Sequence, residues 1–108
     1  MTTTEVTAAI RWMEDHHLRN ATDVRSLIAL YEAPGPTPIG RIAEEAGVIG
    51  ATMTGVIDHF AKHGLTTRTP KKGDRRVQLV DLTAKGRKAF TAPITVERSL
   101  PVSHISKP

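Results

Sequence analysis

The sequence predicts a mostly α-helical fold with one small β-hairpin, on three observations. Ile39, Ile42, Ala43 and Ala46 before Gly47, and Met53, Val56, Ile57 and Phe60 after it, repeat at helical spacing on either side of a glycine turn. Two β-prone runs, Leu65 to Thr69 and Val77 to Leu82, bracket the turn-forming segment Pro70-Lys71-Lys72-Gly73-Asp74-Arg75-Arg76. The charge is divided as well: residues 1–61 hold four Arg and no Lys against eight Asp and Glu, net −4, whereas residues 62–88 hold nine Lys and Arg against two Asp, net +7. Helix, glycine turn, helix and basic hairpin in that order describe a winged helix-turn-helix.

The first helix is expected over residues 5–20, with Val6, Ala9, Ile10, Met13 and His17 on one face. Trp12 falls beside that stripe, and two readings stay open: a partly buried core residue, or an aromatic facing a second subunit. His16 and His17 are adjacent and point to different sides of a helix, which argues against a metal pair. Thr22 is expected to cap the second helix, whose apolar positions are Val24, Leu27, Ile28 and Tyr31. Ala33-Pro34-Gly35-Pro36 cannot continue it and reads as a rigid connection. Thr37 and Pro38 are then expected as N-cap and first-turn proline of the third helix. The fourth helix runs to His63, and Gly64 is placed to end it.

With 108 residues the chain has room for one core and no second independent unit. The organisation expected is an N-terminal helix over 1–21, a winged helix-turn-helix over 22–88, and over 89–108 a short helix end followed by an extended or disordered arm. No apolar run is long enough to span a bilayer, and residues 1–5 lack the features of a signal peptide, so a cytoplasmic location is expected. The absence of cysteine excludes thiol redox sensing, thiolate metal sites and cysteine nucleophiles. Paired carboxylates, a nucleophile elbow and a phosphate loop are missing too, which argues against an enzyme. His59 and His63 have the spacing of two ligands on one helical face but no third partner in the sequence, so neither a metal site nor a cofactor is expected.

Four segments in the same order carry a family resemblance: Ala51-Thr52-Met53-Thr54-Gly55-Val56-Ile57-Asp58, Lys62-His63-Gly64-Leu65, Gly73-Asp74-Arg75-Arg76 and Leu82-Thr83-Ala84-Lys85-Gly86-Arg87. Over roughly residues 23–88 the chain resembles the MarR family of bacterial transcription regulators. The resemblance implies a homodimer on double-stranded DNA, with the fourth helix in the major groove and the wing in the minor groove. It also implies that the N-terminal helix contributes to the dimer interface, and it allows a small-molecule effector without naming one. The chain is shorter than family members usually are and lacks room for the C-terminal helices that complete the dimer and line the effector pocket.

The DNA-binding residues expected on this reading begin with Thr37 and the exposed positions of the fourth helix, Gly50, Ala51, Thr52, Thr54, Gly55 and His59. Thr52 and Thr54 can hydrogen-bond a base edge or touch a thymine methyl, whereas Gly50 stands where the family often has arginine or proline and Gly55 where it frequently has arginine, so guanine-reading arginines are missing from this helix. On the wing, the family's Asp-x-Arg element maps onto Asp74 and Arg76, the aspartate orienting the arginine toward a narrow minor groove. Lys71, Lys72 and Arg75 are expected on phosphates, and Arg68 either on a phosphate or paired with Asp74. A second reading keeps the fold and makes the chain a truncated winged-helix protein that antagonises or partners another regulator.

Overall fold

The computed structural model describes residues 1–89; the arm expected at the end of the 89–108 segment lies outside them. The elements in chain order are α1 (Thr3–Asp15), α2 (Ala21–Glu32), β1 (Thr37–Pro38), α3 (Ile39–Ala46), α4 (Gly50–Lys62), β2 (Thr66–Lys71), β3 (Asp74–Leu82) and α5 (Ala84–Lys88). The fold is mostly helical with a three-stranded antiparallel sheet in the order β1-β3-β2.

Three helices end in the same way, by a residue in the left-handed region that turns the chain back on the last carbonyls. Gly47 (φ 68°) ends α3 and Gly64 (φ 75°) follows α4, with Val48 N–H on the Ala43 carbonyl at 2.9 Å and Leu65 N–H on the Phe60 carbonyl at 2.9 Å. After α1 the left-handed position is His17 (φ 62°), and Leu18 N–H reaches the Met13 carbonyl at 2.8 Å while the Leu18 side chain is buried. A non-glycine residue there costs about 1–2 kcal/mol of backbone strain. With no glycine to mark the stop, the helix expected to reach residue 20 ends at Asp15. Its start is a capping box, in which the Thr2 hydroxyl accepts from Glu5 N–H and the Glu5 carboxylate accepts from Thr2 N–H.

Two expected caps are corrected. Asn20, not Thr22, caps α2: its side-chain oxygen accepts from Asp23 N–H at 2.9 Å, two residues before the position expected for the cap. Thr37 does not cap α3. Its hydroxyl donates to the Gly35 carbonyl at 2.7 Å, and with Pro38 it forms β1, whose register sets Thr37 opposite Val80 and Pro38 opposite Leu79. A two-residue strand is too short to show a period of its own in the sequence. Its effect is to fix the entry to α3 on the root of the wing.

The α4 stripe is buried as the spacing requires: Met53, Ile57 and Phe60 have no exposed surface and Val56 has 3%. They close a core with Leu27 and Leu30 of α2, Ile42 of α3, Leu65, Val80 and Leu82. Trp12 is partly buried against this core, and its indole N–H donates to the Ala89 carbonyl, tying α1 to the residue after α5. Its partial burial fits the core reading. Helix α1 otherwise buries none of its residues, and Val6 and Ile10 are 42% and 51% exposed.

The segment from Leu82 to Arg87 is a joint. Thr83 caps α5 through Gly86 N–H at 3.0 Å, its hydroxyl donates to the Gly64 carbonyl at 2.6 Å, and its own N–H donates to the Leu65 carbonyl at 2.9 Å. Gly86 is pressed so close that a Cβ there would stand 2.3 Å from the Leu65 carbonyl oxygen.

Candidate nucleic-acid interface

Burying Met53, Val56, Ile57 and Phe60 turns the opposite side of α4 outward. Ala51, Gly55 and Lys62 form its outermost line, with Thr52 along one flank and Thr54 and Asp58 along the other, all exposed. No Cβ added at Gly50 or Gly55 would meet an atom within 4 Å, so the face is low and open. Its N-terminus is capped by no side chain, because Ile49, 73% exposed, occupies the cap. Thr54 returns its hydroxyl to the Gly50 carbonyl at 3.1 Å, which fixes its rotamer while the hydroxyl oxygen keeps its lone pairs outward.

The wing lies along the Thr54 flank. Strands β2 and β3 pair from Thr66↔Leu82 to Pro70↔Gln78, then shift so that Lys71 faces Asp74 across the two-residue turn Lys72-Gly73, with Gly73 at φ 91°. The shift leaves Arg75, Arg76 and Val77 outside the ladder to β2, and the hairpin reaches further than the expected strands, with Asp74 to Arg76 already inside β3. The Asp74 carboxylate accepts from the Arg76 backbone N–H at 3.1 Å and from its Nε at 3.3 Å. The Arg76 side chain is nevertheless 92% exposed, so the aspartate aims a guanidinium that the protein does not cover. Lys71, Lys72 and Arg75 are exposed around it. A cleft of about 360 Å³ between α4 and the wing is lined by Gly50, Thr54, Arg76 and Gln78 together with Pro38 to Gly40.

Two expected assignments change. Arg68 does not pair with Asp74. It pairs with Asp58 of α4 and also donates to the Thr54 carbonyl at 3.4 Å, bracing the wing root against the helix. Asp58 was not among the expected residues, although its position on the outward face, in register with a basic strand, carries the signal. His59 is half-buried and turned away from the outer line: its Nε2–H donates to the His17 carbonyl at 2.7 Å, and the His63 ring meets it edge-on at 4.8 Å and stacks on His17 at 3.8 Å. Among the described residues no group of three His, Cys, Asp or Glu is arranged to hold a metal ion. Thr37, paired in β1, is half-buried at the back of the α3 entry.

The sequence model of the MarR family matches residues 20–77, more than half of the chain. The chain belongs to the MarR family. Members of this family are transcription regulators, not enzymes. No curated protein matches in sequence, but many solved structures do in fold. The Staphylococcus aureus MepR–DNA complex superposes with TM-score 0.73 at 21% identity, over 83% of this chain and 73% of that one. RV1404 from Mycobacterium tuberculosis gives 0.74 at 23%, over 89% and 66%. A probable transcriptional regulator from Pseudomonas aeruginosa gives 0.67 at 27%, over 85% and 72%. This MarR-family chain therefore spans about two thirds to three quarters of the length of those structures. Among its described residues no helix is long and apolar enough to cross a membrane.

Proposed function

We propose that this MarR-family regulator is a repressor that binds an inverted repeat in double-stranded DNA as a homodimer. The observation that carries the reading is the Asp74–Arg76 pair, an oriented but 92% exposed guanidinium beside an open helix face. An arginine presented in this way suits a narrow minor groove, where the negative potential is deepest. The outer line of α4 suits the major groove: Ala51 and Gly55 allow close approach, Thr52 and Thr54 supply hydrogen bonds and methyl contacts, and the uncapped N-terminus favours phosphate. Lys71, Lys72 and Arg75 take the neighbouring phosphates, at a cost in affinity as salt rises.

Exposed Val6 and Ile10 on α1 supply the apolar surface for a second copy. Two linked domains place two α4 helices about one helical turn, roughly 10 bp, apart. Repression follows from occupancy, since a bound dimer excludes other proteins from the same stretch of duplex. Selection of bound duplexes from a randomised pool tests the reading. The expected result is an A/T-rich inverted repeat with half-site centres about 10 bp apart; a pool that never departs from random sequence would contradict it.

A further inference from the structure

The flank of α4 opposite the wing carries a second oriented arginine, from a part of the chain whose net charge is negative. Asp23, in the first turn of α2, has no exposed surface. Its Oδ2 accepts from the Arg19 backbone N–H and from Arg19 Nε, each at 2.8 Å, and its Oδ1 accepts from Arg19 Nη2 at 3.0 Å. The guanidinium is thus held by both carboxylate oxygens, while its side chain remains 49% exposed. Five N–H donors make up a guanidinium, and this grip takes one from Nε and one from Nη2; Nη1 makes no hydrogen bond among the described residues.

The position of this arginine is fixed by more than Asp23. The loop that bears it is docked on α4 by His59, which donates to the His17 carbonyl at 2.7 Å, and by His63, whose ring stacks on His17 at 3.8 Å with the planes 8° apart. Arg19, Asn20, Thr22 and Asp23 line one wall of a cleft of about 280 Å³ whose other wall is Thr52, Gly55 and Val56 of α4. Arg19 and Arg76 therefore stand on the two sides of the outer α4 line, each oriented by an aspartate.

We infer that Arg19 is a DNA-backbone contact of the α2 side, gripping a phosphate next to the recognition helix, with Asp23 as its positioning residue. The inference rests on the proposed mode of DNA binding. Because the buried carboxylate offsets the charge of Arg19, its contribution lies mainly in geometry: a fixed donor fork sets where the helix sits in the groove, as phosphate contacts do generally. That supplies a register contact to a helix whose own outer face has no arginine.

The probe is a duplex selected by the wild-type chain from a randomised pool, with phosphate ethylation interference as the readout. The double variant Arg19→Gln/Asp23→Asn keeps an amide pair in place of the ion pair and leaves the net charge unchanged. It is expected to bind roughly tenfold more weakly and to lose interference at phosphates other than those lost in Arg76→Ala. Arg19→Lys keeps a charge beside the buried carboxylate, so it remains folded even where the double variant does not, and it is expected to lose the same phosphates. Wild-type interference in Arg19→Lys, and in the double variant where it folds, would overturn the inference while leaving DNA binding itself intact. Failure of the wild-type chain to select any duplex would instead strike at the proposed function.

Discussion

At the residue scale, two titrating groups make stability depend on pH in ways that the geometry predicts. Burial on its own would raise the Asp23 carboxyl, but the Arg19 hydrogen bonds and charge outweigh it and hold the group below its ordinary range. A depressed carboxyl stabilises the fold above its unfolded value, about 3.9, and loses that contribution as pH falls through the lower folded value. Asp23→Ala is accordingly expected to lose about 2 kcal/mol at neutral pH, with a smaller difference from wild type near pH 3; urea unfolding at both values checks it. His63 is also depressed, by desolvation first and then by His17, His59, Lys62 and Lys85. For a histidine the sign runs the other way: the unfolded chain takes up the proton more readily, so stability falls as pH drops below about 6.5. His63→Gln should lessen the loss of thermal stability between pH 7 and pH 5, and an identical loss in wild type and variant would remove His63 from the account.

At the scale of elements, the helices with strong periodicity were legible in the sequence and the joints between them were not. The α4 stripe from Met53 to Phe60 is buried as its spacing demands, and the wing follows where the β-prone runs place it. What escaped reading depends on contacts distant in sequence: β1 exists because Val80 pairs with Thr37, and α1 stops at Asp15 because Leu18 turns inward. The site divides in the same way. The Asp74–Arg76 grip is local and was legible, whereas the pairing of Arg68 with Asp58 joins a strand to a helix and was not. Gly86 shows how a joint constrains its residue. Glycine to alanine inside a helix is ordinarily stabilising, yet here the added Cβ would press on the Leu65 carbonyl oxygen and on Leu82. Gly86→Ala is expected to cost about 2 kcal/mol, and thermal unfolding at or above the wild-type midpoint would show that α5 is not packed as described.

At the scale of the molecule, the proposed DNA-binding unit is a two-fold pair of chains. Val6 and Ile10 of the N-terminal helix are exposed, so Val6→Asp/Ile10→Asp is expected to raise the dimer dissociation constant at least tenfold, about 1.4 kcal/mol, with monomer unfolding little changed. Sedimentation over a concentration series measures this, and a wild-type chain that stays monomeric at tens of micromolar would contradict the dimer. The central claim is that the aspartate-held arginine of the wing reads DNA. Its most direct test is the affinity of wild type and Arg76→Ala for one selected duplex, followed by fluorescence anisotropy across a salt series. The prediction is a loss of about 1–3 kcal/mol, roughly 5- to 150-fold at fixed salt, and a shallower salt slope by about one unit, with thermal unfolding unchanged because Arg76 is 92% exposed. Equal affinity and equal slope for the two proteins would contradict it.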